Sequence, residues 1–153
     1  LATNASGTWK AVTLPATVPN RYIGGIGIDP NDANHAYLAM NGFSRRFTEG
    51  PGAGVGHVFE TTNGGGSWTD VTGDLPDVPL SSIKETASGA LVVGSDLGVF
   101  YRGAVAGKKR TQPSWQRLGG NFPLTTVMDV EVASDGNVYA ATHGRGIWSI
   151  PAP

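Results

Sequence analysis

Charged and aromatic side chains that could bind a ligand follow three strand-like runs of the sequence. The first stretch, residues 41–56, carries Phe43, Arg45 and Arg46. Guanidinium groups beside an aromatic ring can hold a sugar or an acidic group, but such a stretch could equally be an insertion that covers a neighbouring part of the fold. Asp96 follows the second run, where its carboxylate could bind a ligand or bond the backbone of a turn.

The third run is followed by Thr142-His143-Gly144-Arg145-Gly146. An imidazole base next to a guanidinium group suits an anionic ligand, whereas the two glycines also indicate a tight turn in which the histidine is structural. No residue receives a catalytic role from the sequence. The candidate ligand-binding residues are Phe43, Arg45, Arg46, Asp96, His143 and Arg145.

Carboxylates could make the chain part of a glycoside hydrolase, because that reaction needs two of them on opposite sides of the scissile bond. The acidic residues in suitable stretches are Glu49, Asp77, Asp96 and Asp129. No motif fixes a pair among these four. The sequence therefore leaves catalysis open and favours binding without catalysis.

These side chains need strands to position them, and the clearest strands surround residues 63–66, Asn-Gly-Gly-Gly. The run before this turn, His57 to Thr61, alternates apolar and polar residues, and Ser67 to Val71 returns after it. Glycines tolerate positive φ angles, and an asparagine can bond its own backbone two residues on. The stretch predicts two short strands joined by a tight turn.

The spacing Thr61-x-Asn63-x-Gly65-x-Ser67-Trp68 resembles the Asp-box, S/T-x-D-x-G-x-T/S-W, of sialidase-like, sortilin-like and xyloglucanase-like β-propellers. The resemblance implies that Thr61, Asn63, Gly65 and Trp68 lock a turn on the face away from the ligand. Asn63 replaces the usual aspartate but can still accept backbone N–H groups. One amide without a carboxylate cluster makes a poor oxygen site, so we expect no metal and no other cofactor.

The same order of strand-like runs recurs along the chain. Trp9, Trp68 and Trp115 each open a run that ends in an apolar residue and a proline. Four strands repeating at about 40 to 60 residues are typical of β-propeller blades. We therefore expect an all-β fragment of about three four-stranded antiparallel blades. The predicted divisions are 1–20 for the last strand of a preceding blade, 21–74 and 75–120 for two blades, and 121–153 for the first three strands of a closing blade.

Both predicted ends are unfinished, because a propeller ring closes by completing a blade with strands from both chain ends. Three blades are too few for a ring. We expect the remaining blades of a longer parent chain, or another copy of this chain, to complete it. The first residue, Leu1, is not a methionine, which agrees with a piece of a longer protein.

Most of the sequence from Tyr22 onwards resembles the C-terminal portion of bacterial exported propellers with Asp-box repeats. The sequence segments on which this resemblance depends include HVFETTNGGGSW, GSDLGVF and ATHGRGIW. The resemblance implies a secreted or cell-surface protein, in a group whose fold serves glycosidases, receptors and assembly factors alike. A sialidase would also need an arginine cluster and a Tyr–Glu pair, which Arg45, Arg46 and Arg145 do not reproduce.

Composition excludes several classes of function. The formal net charge is −1 and 15% of residues are charged, so we expect no nucleic-acid partner. No apolar run approaches the roughly 18 residues of a membrane span. The absence of cysteine excludes disulfides and thiol catalysis. Three hypotheses remain: a binding or scaffolding module for a glycan or protein ligand, which is favoured, part of a glycoside hydrolase, and a structural subunit of an extracellular assembly.

Overall fold

Eleven β-strands in three antiparallel sheets make up the regular structure of the computed structural model, which describes residues 7–9, 11–44, 56–104 and 114–153. Those residues include no helix. None of them, accordingly, forms an apolar helix long enough to cross a membrane. The chain is an all-β fragment of a β-propeller, as the sequence predicts.

The first sheet has the order β1-β2-β3-β4. Its strands are β1 (Ile23–Asp29), β2 (Asp32–Met40), β3 (Val58–Thr61) and β4 (Thr69–Asp70). Neighbouring strands in the chain are neighbours in the sheet, so short turns suffice between most of them. The last five residues of β2 are all buried, which places the middle of the sheet in the core.

The second sheet repeats this arrangement with the order β5-β6-β7-β8. Its strands are β5 (Leu80–Glu85), β6 (Leu91–Ser95), β7 (Gly98–Arg102) and β8 (Gln116–Arg117). Every residue of β6 is buried, because sheets pack against both of its faces.

The third sheet has three strands in the order β11-β10-β9. They are β9 (Val127–Val132), β10 (Asn137–Thr142) and β11 (Ile147–Pro151). Four of the five residues of β11 are exposed. This sheet therefore ends in an open edge among the described residues.

The sheets stack face to face around two apolar cores, one between the first and second sheets and one between the second and third. Glycines allow the first strands to approach closely. A Cβ added at Gly25 would lie 2.8 Å from the Cα of Ser82, and one at Gly27 would lie 3.0 Å from the carbonyl oxygen of Ile83. The glycine-rich sequence of β1 is thus explained by its contact with β5.

The turn between β3 and β4 is closed by side chains. The Oδ1 of Asn63 accepts the Thr61 hydroxyl at 2.9 Å and the Ser67 N–H at 2.9 Å. The Gly65 N–H donates to the Thr61 Oγ1 at 3.0 Å. Trp68 is 6% exposed and packs with residues of β2 and β3. Thr61, Asn63, Gly65 and Ser67 thus satisfy polar groups of the turn itself, and Gly65 has a φ of 93° that favours glycine.

The first tryptophan differs from the other two. Trp68 and Trp115 are buried and lie next to the short strands β4 and β8, but Trp9 is 83% exposed. Residues 7–9 and 11–15 form no strand, so the strand expected to begin at Trp9 is not found in the part described. A strand at this position would need a neighbouring strand to pair with, and the described residues provide none.

Candidate functional site

The described members of the predicted ligand-binding set, Phe43, Asp96, His143 and Arg145, belong to one side of the stacked sheets. We call this side the upper edge; it consists of the ends of β2, β6 and β10 and the loops that lead into β5 and β9. Backbone bonds connect these loops. The Asp96 N–H donates to the Pro79 carbonyl at 3.3 Å, and the His143 N–H donates to the Thr126 carbonyl at 2.8 Å. We call the opposite side, with the turns β1–β2, β3–β4 and β5–β6, the lower edge.

The best-defined group on the upper edge is a pair formed by His57 and Asp77. His57, just before β3, is 2% exposed, and its Nε2 lies 2.8 Å from the Oδ1 of Asp77. The backbone N–H of Ser44 donates to the same oxygen at 2.7 Å. Because an ionised carboxylate only accepts, the imidazole donates from Nε2. The Asp77 side chain remains 37% exposed, so it also faces solvent.

Opposing effects act on the pKa of Asp77. Loss of water contact raises it, whereas the bonds from the Ser44 N–H and from His57 lower it, and the outcome is a pKa below the usual value. Asp77 is therefore ionised at neutral pH. It presents a negative charge and an acceptor oxygen at the mouth of the loop after β2.

Arg21 anchors both ends of that loop. Its buried guanidinium donates to the carbonyl oxygens of Gly42 and Gly56. Burial lowers the pKa of Arg21, while the nearby carboxylates of Asp77 and Asp70 act in the opposite direction. Asp70 also accepts the Gly56 N–H at 3.3 Å. A buried cation between two carboxylates thus fixes where the loop begins and ends.

The loop itself is described only in part. Phe43 is half-buried and directly precedes Ser44, whose N–H donates to Asp77. Arg45, Arg46 and Glu49 lie outside the described residues. Their predicted roles remain predictions.

The other predicted residues are spread along the upper edge. Asp96 is exposed in the turn between β6 and β7. This turn adjoins Pro79, which follows Asp77 by two residues in the chain. His143 and Arg145 are exposed in the turn between β10 and β11, one sheet further away. Phe43 and Asp96 are therefore near Asp77, whereas the third sheet contributes a separate group.

The fourth predicted carboxylate, Asp129, is exposed on β9 and accepts the Ser82 hydroxyl at 2.5 Å. It joins two sheets and is not part of the group around Asp77. The sequence places Arg21 in a loop of the ligand face and His57 at the start of a strand as a structural residue, but it does not show that Arg21 bonds both ends of the loop or that His57 pairs with Asp77. The glycines Gly42 and Gly56, which bound the loop, were the only local signal for an anchor there.

The lower edge contains a second histidine, in a different setting. His35 in β2 has its Nδ1 2.9 Å from the Oδ2 of Asp29 and its Nε2 2.9 Å from the Oε1 of Glu60. Glu85, from the second sheet, places its Oε2 4.0 Å from the same Nδ1. The hydroxyl of Tyr37 donates to Glu60 at 3.3 Å. Three carboxylates thus converge on one imidazole.

Burial and charge shift the pKa values on the lower edge. Burial raises the pKa of Glu85 to about 7, and the charge of Asp29 adds to the effect. Burial lowers the pKa of His35, but its bonds to Asp29 and Glu60 outweigh this and leave the pKa raised. The N–H of Asn31 and then His35 lower the pKa of Asp29.

Two of the cavities among the described residues can be compared with the predicted site, and no predicted ligand-binding residue lines either of them. One, of about 70 Å³, is lined by apolar side chains between the second and third sheets, including Leu118, Phe122 and Trp148. The other is a groove of about 330 Å³ between the first strands of the three sheets, where Ile28 and Glu85 contribute to the wall.

Comparison with known proteins bears on the fold. No protein-family model and no curated protein sequence matches the chain. Among solved structures, the BT4673 extracellular domain from B. thetaiotaomicron matches with a TM-score of 0.61 and 12% identity. An ancestral GH74 enzyme matches with a TM-score of 0.54 and 27% identity, and the Niastella koreensis GH74 enzyme with a TM-score of 0.57 and 20% identity.

These matches cover most of the chain and little of the other proteins. They include 97%, 80% and 97% of this chain but only 18%, 17% and 23% of the respective solved structures. The chain therefore corresponds to a segment of each larger protein. At these identities the likeness shows the propeller fold, and the activity of the larger proteins does not follow from it.

Proposed function

We propose that the chain is part of an extracellular or cell-surface β-propeller module that binds a glycan or protein ligand at its upper edge and is not catalytic on its own. The single observation that carries the proposal is the group of Asp77, His57 and Arg21. It combines an ionised, accessible carboxylate with a buried framework that fixes its position. A preorganised acceptor of this kind is what a hydroxyl-rich or cationic ligand requires.

The positions of the neighbouring residues support binding by a surface. Phe43 directly precedes Ser44, whose N–H donates to Asp77, and Asp96 offers a second carboxylate in the adjoining loop. An aromatic ring next to hydrogen-bond acceptors can stack on a sugar while the acceptors bind its hydroxyl groups. Arg45, Arg46, His143 and Arg145 are proposed to extend this surface.

Binding to a glycan panel tests the proposal. We expect the 153-residue chain to bind at least one glycan, and Asp77→Asn to weaken that binding about tenfold, the loss expected for one charge-assisted hydrogen bond. Glu131→Gln is the matched control, since Glu131 is an exposed carboxylate on β9 that pairs with Lys84. Equal binding by wild type and Asp77→Asn would contradict a ligand site at Asp77.

A second candidate, the C-terminal part of a glycoside hydrolase, is favoured by one finding. The 27% identity to an ancestral GH74 enzyme extends over 80% of the chain. In this alternative Asp77 would be one of the two carboxylates, and the other would be Asp96, Asp129, Glu49 or a residue of a parent chain. Incubation with the same panel separates the two functions, because release of shorter glycans would overturn the non-catalytic proposal.

The arrangement of the parent protein is also a proposal. We propose that residues 21–74, 75–120 and 121–153 are successive blades, that residues 61–68 form an Asp-box, and that further blades or a second copy complete the ring. The open edge of β11 supports this, because unpaired strands invite pairing. Size-exclusion chromatography with mass measurement gives a direct test. A well-behaved monomer of this chain alone would count against both ways of completing the ring.

A further inference from the structure

Three potential ligand atoms from two sheets converge on the lower edge. They are the Oδ2 of Asp29, the Nδ1 of His35 and the Oε2 of Glu85, and all lie within 4.8 Å of one another. His35 Nδ1 is 2.9 Å from Asp29 and 4.0 Å from Glu85. Ligands around a tetrahedral ion at about 2.1 Å stand roughly 3.4 Å apart, so small side-chain movements would bring all three into range.

Glu85 shows that the cluster lacks a partner. Its side chain is 6% exposed, and its Oε2 is buried without a hydrogen bond. A buried carboxylate oxygen without a donor is costly, because it has lost water and gained nothing in exchange. This oxygen lies 4.0 Å from the Nδ1 of His35, so the unsatisfied group is directed into the cluster.

Both ring nitrogens of His35 face carboxylate oxygens. Its Nε2 lies 2.9 Å from Glu60, which accepts the ring N–H. Its Nδ1 lies 2.9 Å from the Oδ2 of Asp29 and 4.0 Å from the Oε2 of Glu85, and a metal ion would take the place of the Nδ1 proton. A proton on Nδ1 would satisfy Asp29 at 2.9 Å but would leave Glu85, at 4.0 Å, without a hydrogen bond.

We propose that Asp29, His35 and Glu85 bind a divalent transition-metal ion such as Zn²⁺, which joins the first and second sheets at the lower edge. One ion at the centre of the three atoms would satisfy all of them at once. A mixed set of imidazole and carboxylates suits zinc better than magnesium or calcium, which prefer oxygen alone. The three protein ligands leave a fourth position for water or for a group from a partner.

Surrounding groups hold the ligands in place. The Oδ1 of Asp29 accepts the Asn31 N–H at 2.7 Å, which leaves its Oδ2 for the ion. Glu60 orients His35 and is itself bonded by the Tyr37 hydroxyl. A carboxylate behind a ligating histidine is a common feature of metal sites, where it fixes the ring and increases its basicity. Glu60 is thus a positioning residue.

The ion can reach this position from solvent. The side chains of His35 and Asp29 are 19% and 18% exposed. Glu85 also contributes to the groove of about 330 Å³ between the first strands. The cluster is therefore accessible on one side and buried on the side of Glu85, as expected for a site with an open position.

Calorimetric titration of the chelator-treated 153-residue chain with ZnCl₂ tests the proposal. We expect saturation at one ion per chain, and visible absorption bands of a tetrahedral complex when Co²⁺ replaces Zn²⁺. Glu85→Gln and His35→Gln should each weaken binding by at least tenfold, and Glu60→Gln by about tenfold through the orientation of His35. Zn²⁺ should raise the melting temperature of the wild type but not of Glu85→Gln.

Glu131→Gln is the control for this titration, because Glu131 is an exposed carboxylate that contributes to the same groove. It should bind Zn²⁺ as the wild type does. Circular dichroism establishes first that each variant keeps its β-structure, and Asp29→Asn replaces any variant that does not fold. The proposal is overturned if the wild type takes up no stoichiometric ion. It is equally overturned if folded variants of Glu85 and His35 bind like wild type, as an ion held by His57 or His143 would produce.

Discussion

Each edge of the stacked sheets pairs a histidine with at least one carboxylate. The histidine is the buried member on the upper edge, and a carboxylate is the buried member on the lower edge. On the upper edge His57 is buried, and its partner Asp77 has a side chain that is 37% exposed. On the lower edge His35 is 19% exposed, and the carboxylate of Glu85 is buried. An exposed carboxylate on a buried support can meet a ligand. A buried carboxylate without a hydrogen bond needs a cation.

This difference shows why the two clusters call for different proposals. Asp77 has two hydrogen-bond donors, from Ser44 and His57, and these hold its pKa below the usual value. Glu85 has none, and burial raises its pKa to about 7. The same pair of residue types is thus a satisfied acceptor on one edge and an incomplete site on the other.

The largest expected effect is on His57. We expect His57→Ala to lower the free energy of unfolding by about 2–4 kcal/mol, because it leaves a cavity in a buried position and removes a donor from Asp77. His35→Ala in chelator should lower it by about 1 kcal/mol or less, since His35 is partly exposed. Urea unfolding measures both. Equal losses would remove the contrast between the edges.

Glu85→Gln should raise the free energy of unfolding in the absence of metal, whereas the two histidine variants lower it. The pKa of Glu85 is raised from 4.5 to about 7 in the folded state, so the folded protein holds a proton that the unfolded chain has lost. The free energy of unfolding of the wild type therefore falls as pH rises from 4.5 towards 7. The raised pKa of His35 acts in the same direction, because its stabilisation is complete below 6.5 and is lost as pH rises through the folded value.

Glu85→Gln removes the first of these contributions. In chelator at about pH 8 the variant should be more stable than wild type by about 1–2 kcal/mol, allowing for solvent screening of the pKa shift. With Zn²⁺ present the order should reverse. Thermal unfolding followed over a range of pH checks both results, and a variant that is less stable than wild type in chelator would show that Glu85 has a partner already.

A smaller effect is expected at the turn of the lower edge. Asn63→Ala removes the acceptor of the Thr61 hydroxyl and the Ser67 N–H. The loss should be about 1–2 kcal/mol of unfolding free energy. Asn63→Asp keeps the acceptor and should stay within about 0.5 kcal/mol of wild type. If Asn63→Ala proves neutral in urea unfolding, the side-chain bonds of this turn do not stabilise the fold.

The smallest effects are expected for the exposed residues of the upper edge. Asp96→Ala and His143→Ala should each change the free energy of unfolding by less than about 0.5 kcal/mol, because both side chains are exposed. Any effect should appear in ligand affinity instead. A loss of stability above 1 kcal/mol in either variant would assign that residue to the fold.

The sequence was informative where the structure depends on neighbours in the chain. The spacing of Thr61, Asn63 and Gly65 predicts the turn, because the bonds that close it join residues two to four positions apart. The repeated strand-like runs predict the strands, because strands that are consecutive in the chain pair with each other. Trp9 shows the limit, since a strand there would depend on a pairing partner that the described residues do not provide.

The two clusters could not be predicted, because they join distant residues. His57 meets Asp77 across 20 positions, and Glu85 approaches His35 from another sheet. The sequence shows neither which carboxylate is buried nor which loop end faces Arg21. Chemistry assembled between sheets therefore required the structure.

Titration of two variants with two ligands tests most directly whether the two edges are independent sites. Calorimetry gives the affinities of wild type, Asp77→Asn and Glu85→Gln for Zn²⁺ and for the tightest ligand of the glycan panel. We predict that Asp77→Asn loses the glycan and keeps the ion, and that Glu85→Gln loses the ion and keeps the glycan. If either variant lost both while still folded, or neither, the two edges would not be independent sites and the account would be wrong.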